Sequence, residues 1–286
     1  MIGRLLAFIR FSHTIFALPF ALGSMFAAAR GWPKPGTFGL ILAAMVLART
    51  AAMTFNRLAD WEIDQKNPRT AGRHLLISRT GAIVLLAASS FGFVAVAFFI
   101  NRLCFALSPV ALVIVFFYSL TKRFTSFTHL FLGLALAVSP VGAWLAVRGR
   151  FDLPPLILAL AVLFWVAGFD LIYALQDAEF DRASGLHSLA VRLGAGKSLA
   201  WAQRFHFAMW LLLAAFGAAC GLGFLFYAGL ALIFAALVYE HFTARRMDVR
   251  AINRAFFQSN AFVGFVFVLA VFADTCLLTH RPIMMR

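Results

Sequence analysis

Acidic residues are scarce in this sequence, and most of them fall in two short segments. The 286 residues include eleven Asp and Glu in all. Residues 60–64 read Asp-Trp-Glu-Ile-Asp, and residues 177–181 read Asp-Ala-Glu-Phe-Asp. Carboxylates are costly in an apolar chain, so two dense groups of them indicate a functional site that binds cations.

Polar residues recur at intervals of four in both segments. The first triad is Asn56, Asp60 and Asp64, and the second is Tyr173, Asp177 and Asp181. On an α-helix this spacing advances about 6 Å along the axis and about 40° around it, so each triad is predicted to form one stripe. Mg²⁺ prefers carboxylates, water and phosphate oxygens. Two facing stripes therefore predict bound Mg²⁺ that holds a diphosphate between them.

Basic residues accompany the acidic segments. Arg69 and Arg73 follow the first triad, and Lys122 and Arg123 follow an apolar run that ends near Tyr118. Arg binds phosphate oxygens through paired donors, so these four residues and Asn56 are predicted to bind the diphosphate. The alternative is that the positive-inside rule alone places these cations here.

The composition is that of a membrane protein. Hydrophobic residues make up 63% of the chain, charged residues 13%, and the mean hydropathy is +0.90. Apolar runs of about 20 residues are long enough to cross a bilayer as helices. We predict an all-α fold of one domain, residues 1–286, with nine transmembrane helices. The predicted spans are 9–30, 37–59, 80–100, 103–120, 129–148, 154–174, 198–219, 222–241 and 258–279.

The basic residues predict the orientation of the chain. Most of the 25 Lys and Arg residues lie near the N-terminus or in the loops after even-numbered spans, together with both acidic segments. The positive-inside rule then places the N-terminus and these loops in the cytoplasm. This bias accounts for the net charge of +14 without a nucleic-acid partner. The spacings of the three cysteines and of the histidines match neither a disulfide framework nor a zinc site.

These motifs resemble the UbiA superfamily of intramembrane aromatic prenyltransferases over nearly the whole chain. The matching residues are Asn56, Asp60, Asp64, the run 69–73, Tyr118, the run 122–125, Asp170, Tyr173, Asp177 and Asp181. The resemblance implies nine helices around a central cavity and a polyprenyl diphosphate bound through Mg²⁺. By the same resemblance the metal ligands are Asn56, Asp60, Asp64, Asp177 and Asp181. Ionisation would yield an allylic carbocation, which an aromatic ring captures ortho to a hydroxyl group. Tyr173 or Tyr118 would stabilise this cation through its ring face.

The same resemblance leaves two acceptors open. Residues 255–257 and Asn260 look like the 4-hydroxybenzoate polyprenyltransferase branch in quinone biosynthesis. Residues 11–19, together with Asn56-Arg57, look more like members assigned to the futalosine route to menaquinone, whose acceptor is 1,4-dihydroxy-6-naphthoate. Both acceptors carry a carboxylate, for which Arg10 and His13 are the candidate partners. The resemblance also implies a multi-pass protein of the bacterial inner membrane with its active-site loops in the cytoplasm.

A transporter is the alternative from another functional class, because coupled transporters also place acids in apolar chains. Transporters hold such groups near the midplane of the membrane on broken helices. In this sequence the acids are predicted at one membrane face, beside basic loops. That placement favours prenyl transfer.

Overall fold

The computed structural model describes residues 8, 14–66, 70, 72, 75–245 and 249–277, which contain helices and loops and no strand. The helices are α1 (Thr14–Ala29), α2 (Pro35–Ala59), α3 (Trp61–Lys66), α4 (Arg79–Ile100), α5 (Arg102–Thr121), α6 (Thr128–Arg148), α7 (Leu153–Ala174), α8 (Ala178–Ala183), α9 (Leu189–Cys220), α10 (Phe224–Ala244) and α11 (Val249–Phe272). A π-helical turn, Ala273–Leu277, continues α11. The predicted all-α fold is confirmed.

Seven helical stretches in the described part of the chain are long and apolar enough to cross a membrane. They are α2, α4, α5, α6, α7, α10 and Phe256–Leu277. The apolar part of α1, Phe16–Ala29, is shorter. Helix α9 has 32 residues and is kinked at Gly194, whose φ of 72° lies in the left-handed region. Every predicted span overlaps a helix of the described part of the chain, and for span 9–30 that helix is the shorter α1. A total of nine membrane crossings stays a prediction.

The connections between helices use residues that stop or start a helix. Pro35 begins α2, and a proline follows the first residue of α7. Gly149 and Gly221 end α6 and α9 at φ 67°, a conformation that glycine adopts without the strain other residues incur. The Asn101 side chain accepts a hydrogen bond of 2.8 Å from the Cys104 amide and so caps α5. These local signals produce short turns between antiparallel helices.

Helix α7 lies in the core of the bundle. Its Trp165 is fully buried and packs against Phe20 of α1, with ring centroids 4.7 Å apart. Phe169, one turn further along, packs against Phe16 at 5.6 Å. Lipid tails are as apolar as these side chains, so close packing rather than exclusion from water holds the helices together. This packing fixes the end of α7 that carries Tyr173 and leads into the second acidic segment.

Helices α6 and α7 approach each other closely at Gly133. A Cβ atom at this position would overlap the backbone carbonyl of Leu163. We expect Gly133→Ala to push the helices apart and destabilise the protein by about 1–3 kcal/mol, the usual cost of overpacking. Gly142→Ala on the same helix is the control, because a Cβ there has no atom within 4 Å. The measurement is thermal unfolding in detergent, and equal melting temperatures for the two variants would contradict the close-approach argument.

Candidate active site

The first acidic segment spans a break between two helices. Helix α2 ends at Ala59, and Asp60 takes φ −97° and ψ 13° before α3 begins at Trp61. The Asp60 amide still donates to the Asn56 carbonyl at 3.0 Å, and the Asp64 amide donates to the Asp60 carbonyl at 2.8 Å. The predicted continuous helix is therefore interrupted at Asp60, because the backbone angles of this residue depart from α-helical values, while the four-residue hydrogen-bond register is kept.

The second acidic segment has a larger break. Helix α7 ends at Ala174, and the Asp177 amide donates to the Ala174 carbonyl at 3.1 Å, a three-residue turn. The four-residue spacing resumes where the Asp181 amide donates to the Asp177 carbonyl at 2.8 Å. A three-residue turn rotates the chain differently from an α-helical turn. Tyr173 therefore does not continue the α-helical register of Asp177 and Asp181, contrary to the predicted single stripe.

Lys122 and Arg123 lie against the first acidic segment, as a shared binding site requires. The Lys122 Nζ atom is 2.7 Å from Asp60 Oδ2, and an Arg123 guanidinium nitrogen is 3.7 Å from Asp60 Oδ1. Arg123 also donates a hydrogen bond to the Ala59 carbonyl. Asp60 is only 4% exposed, and its Oδ1 has no hydrogen-bond partner among the described residues. Burial raises the pKa of Asp60 above its ordinary range, and the Lys122 ammonium opposes this shift.

Arg57 is a site residue whose contacts the sequence motifs did not predict. Its guanidinium is 3.4 Å from Asp64 Oδ2, and both side chains are largely buried. It also donates to the Phe8 carbonyl at 3.5 Å. Seven residues are about two helical turns, so Arg57 and Asp64 lie on the same side of the chain. This spacing is the sequence signal that could have identified the pair. Arg57 thus balances the charge of Asp64.

The two acidic segments meet at Lys122. Its carbonyl accepts a hydrogen bond of 2.8 Å from the His187 amide, in the loop that follows the second segment. Within that loop the Leu186 amide donates to the Asp181 carbonyl, also at 2.8 Å. Lys122 therefore contacts the loop of one segment through its backbone and Asp60 of the other through its side chain.

The donor set fits Mg²⁺ that binds together with a diphosphate. Among the described residues, no three His, Cys, Asp or Glu side chains stand close enough to hold a metal ion by themselves. Mg²⁺ usually takes one or two protein carboxylates and completes its shell with water and substrate phosphate. The buried Asp60 Oδ1 atom, which lacks a hydrogen-bond partner in the described part of the chain, is suited to such a role.

An apolar cavity of about 440 Å³ lies between α2, α4, α5 and α6. One end reaches Phe151 and Leu156, and the other reaches Arg49 and Tyr118. Tyr118 precedes Lys122 by one helical turn, so the polar end of the cavity adjoins the acidic site. Tyr173 lies on α7 and packs against Phe256 of α11, with ring centroids 4.5 Å apart.

Four predicted binding residues, Arg10, His13, Arg69 and Arg73, lie outside the described residues. Thr70, which stands beside Arg69 in the sequence, is buried and donates a hydrogen bond of 2.9 Å to the Asp64 carbonyl. Thr70 is therefore attached to the first acidic segment.

The sequence profile of the UbiA prenyltransferase family matches residues 17–270. The chain belongs to this family. A relative named 4-hydroxybenzoate octaprenyltransferase, from Francisella tularensis subsp. novicida, is 30% identical over 255 residues, which cover 87% of this chain and 89% of the relative. The resemblance inferred from the two polar triads is thus confirmed.

Solved structures support the fold of this UbiA prenyltransferase. The apo structure of a UbiA homologue from Aeropyrum pernix is 34% identical, with a TM-score of 0.83 over 92% of this chain and 98% of that one. A UbiA homologue from Archaeoglobus fulgidus, solved with GPP and Mg²⁺, has a TM-score of 0.73 over 95% and 99% of the two chains. At 22% identity the second likeness shows the fold alone. Family membership decides in favour of a prenyltransferase over a transporter.

Proposed function

We propose that this UbiA-family enzyme transfers a polyprenyl group from a polyprenyl diphosphate to an aromatic acid in quinone biosynthesis. The observation that carries the proposal is the apolar cavity whose polar end adjoins Asp60 and Lys122. A polyprenyl diphosphate matches this cavity, because its chain is apolar and its charged diphosphate lies at one end. The name of the Francisella relative and the GPP and Mg²⁺ bound by the Archaeoglobus homologue support this choice of donor.

The prenyl chain would occupy the cavity, with its diphosphate beside the acidic segments. Arg49 and Tyr118 border the cavity at that end. Asn56 follows Arg49 by seven residues on α2, so both lie on one face of that helix. Asn56 donates to the Ser119 hydroxyl at 3.4 Å, and this contact joins α2 to α5 beside the proposed diphosphate position.

Lys122 and Arg123 would exchange their contacts with Asp60 for contacts with phosphate oxygens, and Arg69 and Arg73 would complete the cationic side of the site. The residues that would hold Mg²⁺ are Asn56, Asp60, Asp64, Asp177 and Asp181. When bound, Mg²⁺ neutralises the negative charge of the leaving diphosphate. The release of Lys122 from Asp60 makes both oxygens of that carboxylate available as ligands.

The reaction would break the bond between the allylic carbon and the diphosphate oxygen, and the electron pair leaves with the diphosphate. The faces of Tyr173 or Tyr118 would stabilise the resulting cation. The apolar lining excludes water, which would otherwise hydrolyse the cation. The aromatic ring then forms a carbon–carbon bond with the cation, and the ring hydrogen is lost as a proton.

The acceptor is an aromatic acid of the 4-hydroxybenzoate type, with 1,4-dihydroxy-6-naphthoate as the second candidate. The second candidate is favoured by Ser12-His13-Thr14, which stands where 4-hydroxybenzoate enzymes often carry Asp-Lys-Pro. Arg10 or His13 would bind the carboxylate that both acids share. We further propose nine membrane crossings, a cytoplasmic N-terminus and cytoplasmic active-site loops, in agreement with the distribution of Lys and Arg.

The decisive assay incubates membranes containing the protein with labelled polyprenyl diphosphate and a panel of 4-hydroxybenzoate, dihydroxynaphthoates and homogentisate. We expect alkylated product with one of the aromatic acids when Mg²⁺ is present and none when EDTA replaces it. Membranes without the protein are the control. Product formation that is independent of metal would contradict the proposed mechanism, and the absence of product with every acceptor would contradict the proposed function.

A further inference from the structure

A buried histidine and a partly exposed aspartate form a close pair near the acidic site. His129 lies in the first turn of α6, and Asp170 lies one turn before the end of α7. The His129 Nδ1 atom is 2.6 Å from Asp170 Oδ2. His129 is 2% exposed, whereas the Asp170 side chain is 24% exposed. Neither residue belongs to the proposed metal ligands or to the residues proposed to bind the diphosphate.

The second nitrogen of this imidazole has no hydrogen-bond partner in the described part of the chain. His129 Nε2 is buried and makes no hydrogen bond to any described residue. A carboxylate on Nδ1 holds the proton of a neutral imidazole at that nitrogen, so the lone pair is on Nε2. A buried polar atom without a partner is unfavourable by about 1–3 kcal/mol. A substrate group that donates a hydrogen bond would remove this penalty.

His129 lies one helical turn from the residues of α6 that line the cavity. His129, Leu132 and Leu136 are spaced three and four residues apart and so lie on one face of α6. Leu132 and Leu136 line the apolar cavity. Asp170 and Tyr173 are likewise three residues apart on α7. The pair is therefore one helical turn from a cavity-lining residue on α6 and one helical turn from Tyr173 on α7.

We propose that His129, oriented by Asp170, is the base that accepts the hydroxyl proton of the aromatic acceptor. This inference rests on the proposed function and adds a catalytic residue to it. The Nε2 lone pair takes the hydroxyl proton as the ring attacks the allylic carbon, and a carbon–carbon bond and a ring ketone form. The ring hydrogen then leaves as a proton to the released diphosphate, and the imidazolium returns its proton to the oxygen, which restores the phenol.

The environment of the pair suits this role. Asp170 stabilises the imidazolium by charge while the proton resides on His129, because the two groups are in direct hydrogen-bond contact. Transfer of a proton to a positioned base accelerates such steps by about 10²–10⁴-fold. A phenolate is also a stronger nucleophile than a phenol, so removal of the proton directs the cation to the ring carbon next to the hydroxyl.

The test uses His129→Asn, because the Asn amide can still donate to Asp170 from the position of Nδ1 but has no counterpart of Nε2. We expect kcat for alkylation to fall at least about 100-fold, whereas Mg²⁺-dependent binding of the prenyl diphosphate persists. A kcat within about threefold of the wild type would overturn the proposal and leave the pair as a structural link between α6 and α7.

A second variant covers the case in which His129→Asn fails to fold, as judged by loss of donor binding. Asp170→Asn keeps the histidine in place but favours the other tautomer, so kcat is expected to fall, and an unchanged kcat would overturn the proposal. For His129→Ala that binds the donor, added imidazole should restore turnover, and failure to do so counts against a base at this position. If the wild type alkylates none of the acceptors, the proposed function itself fails, which is a distinguishable result.

Discussion

Asp60→Ala is expected to lower prenyl transfer by about 10³-fold while the protein stays folded and inserted in the membrane. Asp60 is the most buried carboxylate of the first segment and the one that both Lys122 and Arg123 contact. Its removal deletes a proposed metal ligand and leaves the two cations without their common partner. Lys122 is partly exposed, so its ammonium can be solvated, and the loss of the ion pair should affect turnover far more than folding.

Glu62→Ala is the matched control for this experiment. Glu62 lies two residues beyond Asp60 in α3 and is exposed, and it has no proposed role at the site. Both variants remove one carboxylate from the same segment, so they change the local charge equally. The rate of product formation and the binding of prenyl diphosphate with Mg²⁺ are measured for each. Near-normal activity of Asp60→Ala, or an equal loss in Glu62→Ala, would rule out a specific role for Asp60.

The helices could be predicted from the sequence because a bilayer imposes a simple constraint. A segment in lipid must satisfy its own backbone hydrogen bonds, so apolar runs of about 20 residues become helices whatever their detailed sequence. The predicted span 154–174 nearly coincides with α7, Leu153–Ala174. The prediction for α9 was less accurate: the helix begins at Leu189, well before the predicted residue 198, because its first turns carry charges that hydropathy discounts.

The contacts within the site were less predictable. Lys122 and Asp60 are separated by 62 residues, and the motifs predict them at the same membrane face but do not predict their direct contact. The helix breaks at Asp60 and near Asp177 were missed because a spacing of four does not reveal a local change in backbone angle. The pair of His129 and Asp170 depends on how α6 and α7 pack together, which no local motif encodes.

Asp177→Ala is expected to cause a loss of turnover similar to that of Asp60→Ala, about 10³-fold. Asp177 directly precedes α8, in the segment whose following loop hydrogen-bonds to the Lys122 carbonyl. If the diphosphate is held between the two segments, either carboxylate alone leaves its binding incomplete. The matched control is Glu179→Ala, since Glu179 is exposed and lies two residues further along, as Glu62 does in the first segment. Activity of Asp177→Ala close to that of Glu179→Ala would show that the second segment takes no part in turnover.

The double variant Asp60→Ala/Asp177→Ala then tests whether the two segments act on one diphosphate. Groups that act as a unit are strongly non-additive, so the double variant should lose little more activity than either single variant. If the two carboxylates acted independently, the fold losses of activity in the two single variants would multiply in the double variant. Donor binding measured in the same three variants separates the cases further: a single site predicts that each substitution weakens Mg²⁺-dependent binding of the prenyl diphosphate. Lys122, which joins Asp60 to the loop of the second segment, is the physical reason to expect this coupling.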